Sequence, residues 1–188
     1  MLAALERGVK GGVWFSLIDK VHRPQVLLQA WRQVNGKGRA VGSDHQSLEQ
    51  FEEQLEINLG KLEEEVRTGS YRPRPIRRAY IDKPGSKAKR PLGVPAVRDK
   101  VVQTALKMVI EPIFEREFMN SSFGFRPGRG CKDALGSVER LLKAGYTWVV
   151  DADLKSYFET IGHERLMAEL RQRIADSRVL DLIESFLK

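Results

Sequence analysis

"VVDADLKSYFET", residues 149–160, sets two carboxylates two positions apart inside an apolar run. The run from Thr147 to Leu154, "TWVVDADL", is short and rich in β-branched and aromatic residues, which predicts a buried strand. An acid in such a strand is costly unless something compensates its charge. On a strand Asp151 and Asp153 share one face. At the strand's end, one of them is placed to hold a divalent cation. Hard Mg²⁺ prefers carboxylate and phosphate oxygens, and in phosphoryl transfer it often acts as a pair of ions about 4 Å apart. Such a pair lowers the pKa of an attacking hydroxyl and stabilises the leaving pyrophosphate. The structural alternative is an acid that pairs with an arginine or caps the next turn. Two acids alone do not choose between these readings.

Working outward, "SYFETIGHERLMAELRQRI" and "DSRVLDLIESFLK" predict helices after the strand. Before it, "CKDALGSVERLLKAG" predicts a helix closed by Gly145, and "SSFGFRPGRG" a loop rich in glycine and arginine. "VRDKVVQTALKMVIEPIF" predicts a helix that buries Val101, Val102, Ala105, Leu106 and Val109 and ends near Pro112. "PIRRAYIDK" and "RPLGVP" predict two strands around the turn "PGSKAK", with Arg77 and Lys83 on the face opposite Arg78. Leu48, Phe51, Leu55, Leu59, Leu62 and Val66 step by three or four and predict one amphipathic helix, capped by Ser43 or Asp44 and stopped at Gly69. Residues 1–42 carry the weakest pattern, a helical segment broken near Pro24 and a loop at "NGKGRAVG".

Charge is unevenly spread. From Ser47 to Val66 seven glutamates face one lysine, a net of −6, a solvated helix face. From Arg67 to Lys100 eleven lysines or arginines face two aspartates, a net of +9. A charge run is ordinarily a solvated surface, but strand formers, prolines and glycines interrupt this one and predict an ordered hairpin, which leaves a solvated surface and a polyanion site equally open. Hydrophobic residues make up 41%, enough for a core, and no run approaches the ~20 apolar residues of a membrane span. The first residues lack the apolar centre of a signal peptide. The single cysteine, Cys131, excludes an internal disulfide and fits a reducing compartment, so the expectation is a soluble, cytoplasmic chain with no membrane partner. Cys131 itself is expected to be a small buried residue, and His163 a cap or surface residue at a helix start.

"YRPRPIRR", "KRPLGVP", "EPIFE", "SFGFRPGR" and "VVDADLKSYFETI", in this order and spacing, resemble the fingers and early palm of the group II intron-encoded reverse transcriptases, or maturases. The resemblance covers residues 69 to about 166. It implies an α+β chain with a right-hand polymerase fold: an N-terminal, partly helical extension at 1–42, fingers at 43–145 and the start of the palm at 146–188. In this resemblance Asp153 matches the metal-binding aspartate, because the aromatic Phe158 follows five residues later. Leu154 would lend its backbone carbonyl to the metal, its side chain being free for the core, with Asp151 secondary. Phe158 would lie under the sugar of the incoming nucleotide and exclude a 2′-hydroxyl; without the resemblance it is a core aromatic. Lys83 and Arg90 match residues that grip the triphosphate, with Lys87 and Lys89 as alternatives to Arg90. Val94 matches a position near the templating base, and Lys100 one near the template strand. Arg126 and Arg129 would contact template or primer backbone, or else fasten their loop to acidic helix ends. Arg77 and Arg78 are further phosphate contacts.

The family's palm also uses a Tyr-x-Asp-Asp turn and a Gln-Gly loop, and neither occurs in these 188 residues. The implied parent copies RNA into DNA with two Mg²⁺ ions, binding RNA template, primer DNA and dNTPs, and assists intron splicing. The chain alone is expected to be a truncated part of that enzyme, inactive and prone to self-association. The alternatives are an intron-RNA-binding module without catalysis, or a retron or CRISPR-associated relative.

Overall fold

The computed structural model describes residues 11–36, 41–82, 85, 87, 89–154 and 156–188. Helices and one small sheet alternate along the chain. The helical segment predicted near residues 17–34 is indeed broken, into α1 (Ile18–Val21) and α2 (Pro24–Asn35), with Pro24 in the first turn of α2, where its missing N–H has no partner to lose. The single helix expected over residues 48–66 is two, α3 (Leu48–Glu53) and α4 (Leu55–Thr68). The chain leaves helical geometry at Gln54, and the Asn58 side-chain amide donates to the Phe51 carbonyl there, satisfying a group the break exposes. The stripe survives because Leu48 and Phe51 are buried from α3, and Leu62 and Val66 from α4. The cap is Ser47, not Ser43 or Asp44. Its hydroxyl accepts from the Gln50 N–H, while Gln50 accepts from the Ser47 N–H. Gly69 ends α4 in the left-handed conformation, as expected.

Strands β1 (Arg77–Asp82) and β2 (Lys89–Val94) form an antiparallel hairpin. It feeds α5 (Val97–Glu115), which runs three residues past Pro112. The proline forfeits one backbone bond, whereas continuing the helix buries Ile113. Then follow α6 (Cys131–Lys143), α7 (Tyr157–Thr160), α8 (His163–Arg171) and α9 (Ser177–Leu187).

The core lies where α1 and α2 pack on α4 and α5. Leu17, Val21, Leu27, Trp31, Val97, Val101 and Val109 are sealed from solvent, and the Trp31 and Phe51 rings stack with centroids 4.9 Å apart. The far end of the chain joins the same core through Ile174, Val179 and Leu182. Two contacts tie the ends together. Trp14 and Ile174 form a parallel bridge, the Trp14 N–H donating to the Arg173 carbonyl and the Ala175 N–H to the Trp14 carbonyl. Asp176, itself buried, caps two helices at once. One oxygen accepts from the Arg178 and Val179 N–H groups at the start of α9, the other from the Leu17 and Ile18 N–H groups at 2.7 and 2.8 Å.

The strand expected at 147–154 does not form. Residues 146–154 carry no secondary structure, and Trp148 and Val150 are 96% and 92% exposed. A strand needs a neighbour to take its N–H and C=O groups, and among the described residues the sheet consists of β1 and β2 alone. Helix α6 shares this exposure, turning Leu135, Val138, Leu141 and Leu142 to solvent. Cys131, at its start, is therefore exposed rather than buried. His163 stands exposed at the start of α8, a surface residue that makes no capping bond. No helix among the described residues is long and apolar enough to cross a membrane.

Candidate nucleic-acid interface

The hairpin register decides which charges act together. Arg77 lies opposite Val94, Ala79 opposite Leu92, and Ile81 opposite Arg90. Directly paired residues share a face, so Arg77, Arg90 and Val94 lie on one side of the ribbon. Arg78, Tyr80 and Lys89 lie on the other. Both strands are almost wholly exposed, so this is a charged arm raised above the core and not a layer of it. Lys83 lies outside the described residues. Val94, at the base of the arm, is half-buried.

Lys100, on the first turns of α5, belongs to the same patch. Burial pushes its ammonium below the ordinary lysine range, Asp44 works against that, and Arg77 lies close enough to depress it further. Two residues read from the sequence as phosphate and template contacts thus lie within electrostatic reach of one another, with Asp44 partly offsetting their repulsion.

The arm is fixed by Asp99, which sequence reasoning missed. Its side chain is buried at the start of α5 and accepts from the Tyr71 hydroxyl at 2.5 Å and the Arg74 N–H at 3.0 Å. Arg74 in turn pairs with Asp44 at 2.5 Å, and Arg98 pairs with Glu65. The segment leading into β1 is thereby pinned to α5 before the ribbon departs. The missed signal was an acid in the first turn of a helix, with Tyr-Arg-Pro-Arg upstream to use it.

The 118–130 loop spends its arginines on itself. Arg126 donates to the Glu115 carboxylate at 2.6 Å and to the Met119 and Ser122 carbonyls, and its side chain is 6% exposed. Arg129 donates to the Asn120 carbonyl at 2.7 Å. This is the loop-fastening alternative weighed for the pair. The Arg126 guanidinium is spent on these partners and largely buried, whereas Arg129 also lines an open groove. The Arg126 hydrogen bond holds the Glu115 carboxyl below its ordinary value of 4.5. A depressed carboxylate stabilises the fold above its unfolded pKa and loses that contribution as pH falls through the folded value. Glu115→Gln is accordingly expected to cost about 1 kcal/mol at neutral pH, a charged hydrogen bond discounted for partial exposure. Urea titrations should show the gap to the native chain closing below pH 4.5; a gap independent of pH would exclude this pair as its source.

The acidic stretch is open. Asp151, Asp153 and Leu154 are exposed, so the Leu154 side chain is not core. Phe158 is 76% exposed and meets Tyr157 edge-on at 5.5 Å, which removes the core-aromatic alternative. As donors, two carboxylates and the neighbouring carbonyls suit a hard cation in kind. In number they fall short: no cluster of three or more histidine, cysteine, aspartate or glutamate side chains occurs among the described residues.

Comparison with known proteins places the chain in a family. Residues 81–188 match the family Reverse transcriptase (RNA-dependent DNA polymerase). The chain is 39% identical over 178 residues to Protein YkfC of Escherichia coli (strain K12), which covers 92% of this chain and 46% of that protein. It is 35% identical over 195 residues to Group II intron-encoded protein LtrA of Lactococcus lactis subsp. cremoris, covering 100% of this chain and 32% of the relative. Nuclear intron maturase 2, mitochondrial, of Arabidopsis thaliana is 38% identical over 90 residues, covering 48% of this chain and 12% of the relative. The chain spans less than half the length of each.

Proposed function

Because the chain belongs to the reverse transcriptase family, among the group II intron-encoded proteins and maturases, we propose that it forms the template- and nucleotide-gripping part of an RNA-directed DNA polymerase. In this reading residues 43–145 are the fingers and 146–188 the start of the palm of a right-hand fold, with 1–42 as an N-terminal extension. The observation that carries it is the shared face of Arg77, Arg90 and Val94, with Lys100 beside Arg77. A planar guanidinium at Arg90 suits the triphosphate of a dNTP, and Arg77 and Lys100 suit the phosphates of an RNA template. Lys83 belongs to the triphosphate grip by sequence position. Phe158, unburied, is free to pack under a deoxyribose and reject a 2′-hydroxyl.

The family works with divalent metal ions. Magnesium is the ion proposed, as a pair in the complete enzyme, with Asp153, the Leu154 carbonyl and secondarily Asp151 as this chain's share of the site. The remaining carboxylates are not in these 188 residues, so primer extension by the chain alone is expected to be absent, with or without Asp153→Asn. The unpaired 146–154 segment and the open face of α6 suit the further length that its relatives possess; a second copy is the proposed occupant when the chain is isolated. Primer DNA enters as a partner on the same reading.

Single-stranded RNA binding followed by fluorescence anisotropy across a salt series tests it. Each single-strand phosphate contact contributes about 0.7 to the slope of log K against log salt. Arg77→Ala with Lys100→Ala is expected to weaken binding and flatten that slope by about 1.4. An unchanged slope would remove the arm from the interface.

A further inference from the structure

We propose that Phe125 is a base-stacking platform for single-stranded nucleic acid, a contact added to the RNA-binding reading above and resting on it. The loop that carries it holds three phenylalanines. Two have a cation over the ring: Arg126 lies 5.2 Å from the Phe118 centroid and Arg129 5.7 Å from that of Phe123. Phe125 has no such partner among the described residues. It is 96% exposed, and its φ of +56° is a conformation that bulky residues rarely adopt. Burial does not explain a ring held outward at the cost of backbone strain.

The hold on it is firm. Arg126, the next residue, is locked by Glu115, Met119 and Ser122, so the backbone at Phe125 is fixed from one side. Gly124 precedes it with open space where a Cβ would stand, and the Phe125 side chain itself is in solvent. The surroundings select the partner. A groove of about 750 Å³ beside the ring's loop is lined by Asn120, Ser121, Phe123, Arg129, Lys132 and Arg140, with Asp133 as its acid. Three cations against one carboxylate favour a polyanion over an apolar protein surface. Phe125 stands on the same loop whose residues 120–129 line that groove, and an exposed aromatic on a cationic surface is the combination that binds single strands, the ring taking a base and the cations the backbone. Stacking is indifferent to base identity, which suits a template of any sequence.

The test uses a twelve-nucleotide single-stranded RNA and an abasic oligonucleotide of the same length. Phe125→Ala is expected to weaken binding to the RNA about 5- to 150-fold, with the salt slope unchanged. The same variant should leave abasic binding unaltered, and Phe125→Trp should restore RNA affinity where Phe125→Leu does not. Lys132→Ala and Arg140→Ala should instead each reduce the slope, by about 0.7. Equal loss on both oligonucleotides, or rescue by leucine, would overturn stacking. If Phe125→Ala abolishes self-association and leaves RNA affinity intact, the ring is a protein contact and the inference fails. Should only Arg77→Ala and Lys100→Ala weaken RNA binding, the proposed function stands without Phe125. Failure of the unaltered chain to bind RNA removes both.

Discussion

Replacing Asp176 by alanine is expected to destabilise the chain by about 3 kcal/mol, since a lost cap costs about 1 kcal/mol and bonds to a buried charge cost more. One carboxylate serves four backbone N–H groups, two at the start of α1 and two at the start of α9. Alanine leaves the Leu17 and Ile18 donors buried with no acceptor, because Leu17 is wholly sealed. The two helices are more than 150 residues apart in sequence, so the loss unfastens the chain's ends as well as two helix starts. Equilibrium urea unfolding should show a midpoint lowered by about 1 M or more. Asp176→Asn retains one acceptor oxygen and should recover roughly half of the loss. If alanine costs less than about 0.5 kcal/mol, these bonds do not hold the ends together.

The second large effect is at Asp99, where alanine is expected to cost about 3 to 5 kcal/mol, the range for removing one member of a buried charged network. The Tyr71 hydroxyl and the Arg74 N–H lose their acceptor. Arg98 keeps Glu65, which limits the damage on that side. Tyr71→Phe in both backgrounds completes a double-mutant cycle, and a coupling below about 0.5 kcal/mol would mean the bond between the hydroxyl and Asp99 contributes nothing. The pH dependence has a definite sign. Burial, followed by the hydrogen bond to Asp99, raises the Tyr71 pKa far above its ordinary 10.0. A raised folded pKa gives stability that is complete below the unfolded value and declines as pH rises beyond it. Stability should therefore fall above pH 10, and less so in Tyr71→Phe. The consequence reaches the interface, because Asp99 fixes the segment from which β1 departs. A weakened Asp99 variant that still folds should bind RNA less tightly although no phosphate contact has been removed.

Some of this was legible from local pattern. The β1–β2 hairpin, the Pro24 break and the Gly69 stop follow from signals contained within a few residues, and each stands where the sequence places it. The break at Gln54 was hidden, because a stripe stepping by three and four is satisfied equally by one helix or by two that bury the same face. The strand at 147–154 was over-read for a related reason. Its composition reports suitability for a sheet, whereas forming one requires a second strand that composition cannot supply.

The sequence by itself determined the family, the separation of acidic helix face from basic hairpin, and the spacing of an aspartate and an aromatic at 153 and 158. Only the tertiary structure decided how polar groups were allotted. It assigned Asp176 to two helix starts, Asp99 to the root of the arm, and Arg126 to its own loop while Phe125 was left in solvent. The physical reason is range. Turn and helix signals act between neighbours along the chain, but a buried charge takes its partners from whatever packing brings within hydrogen-bond reach.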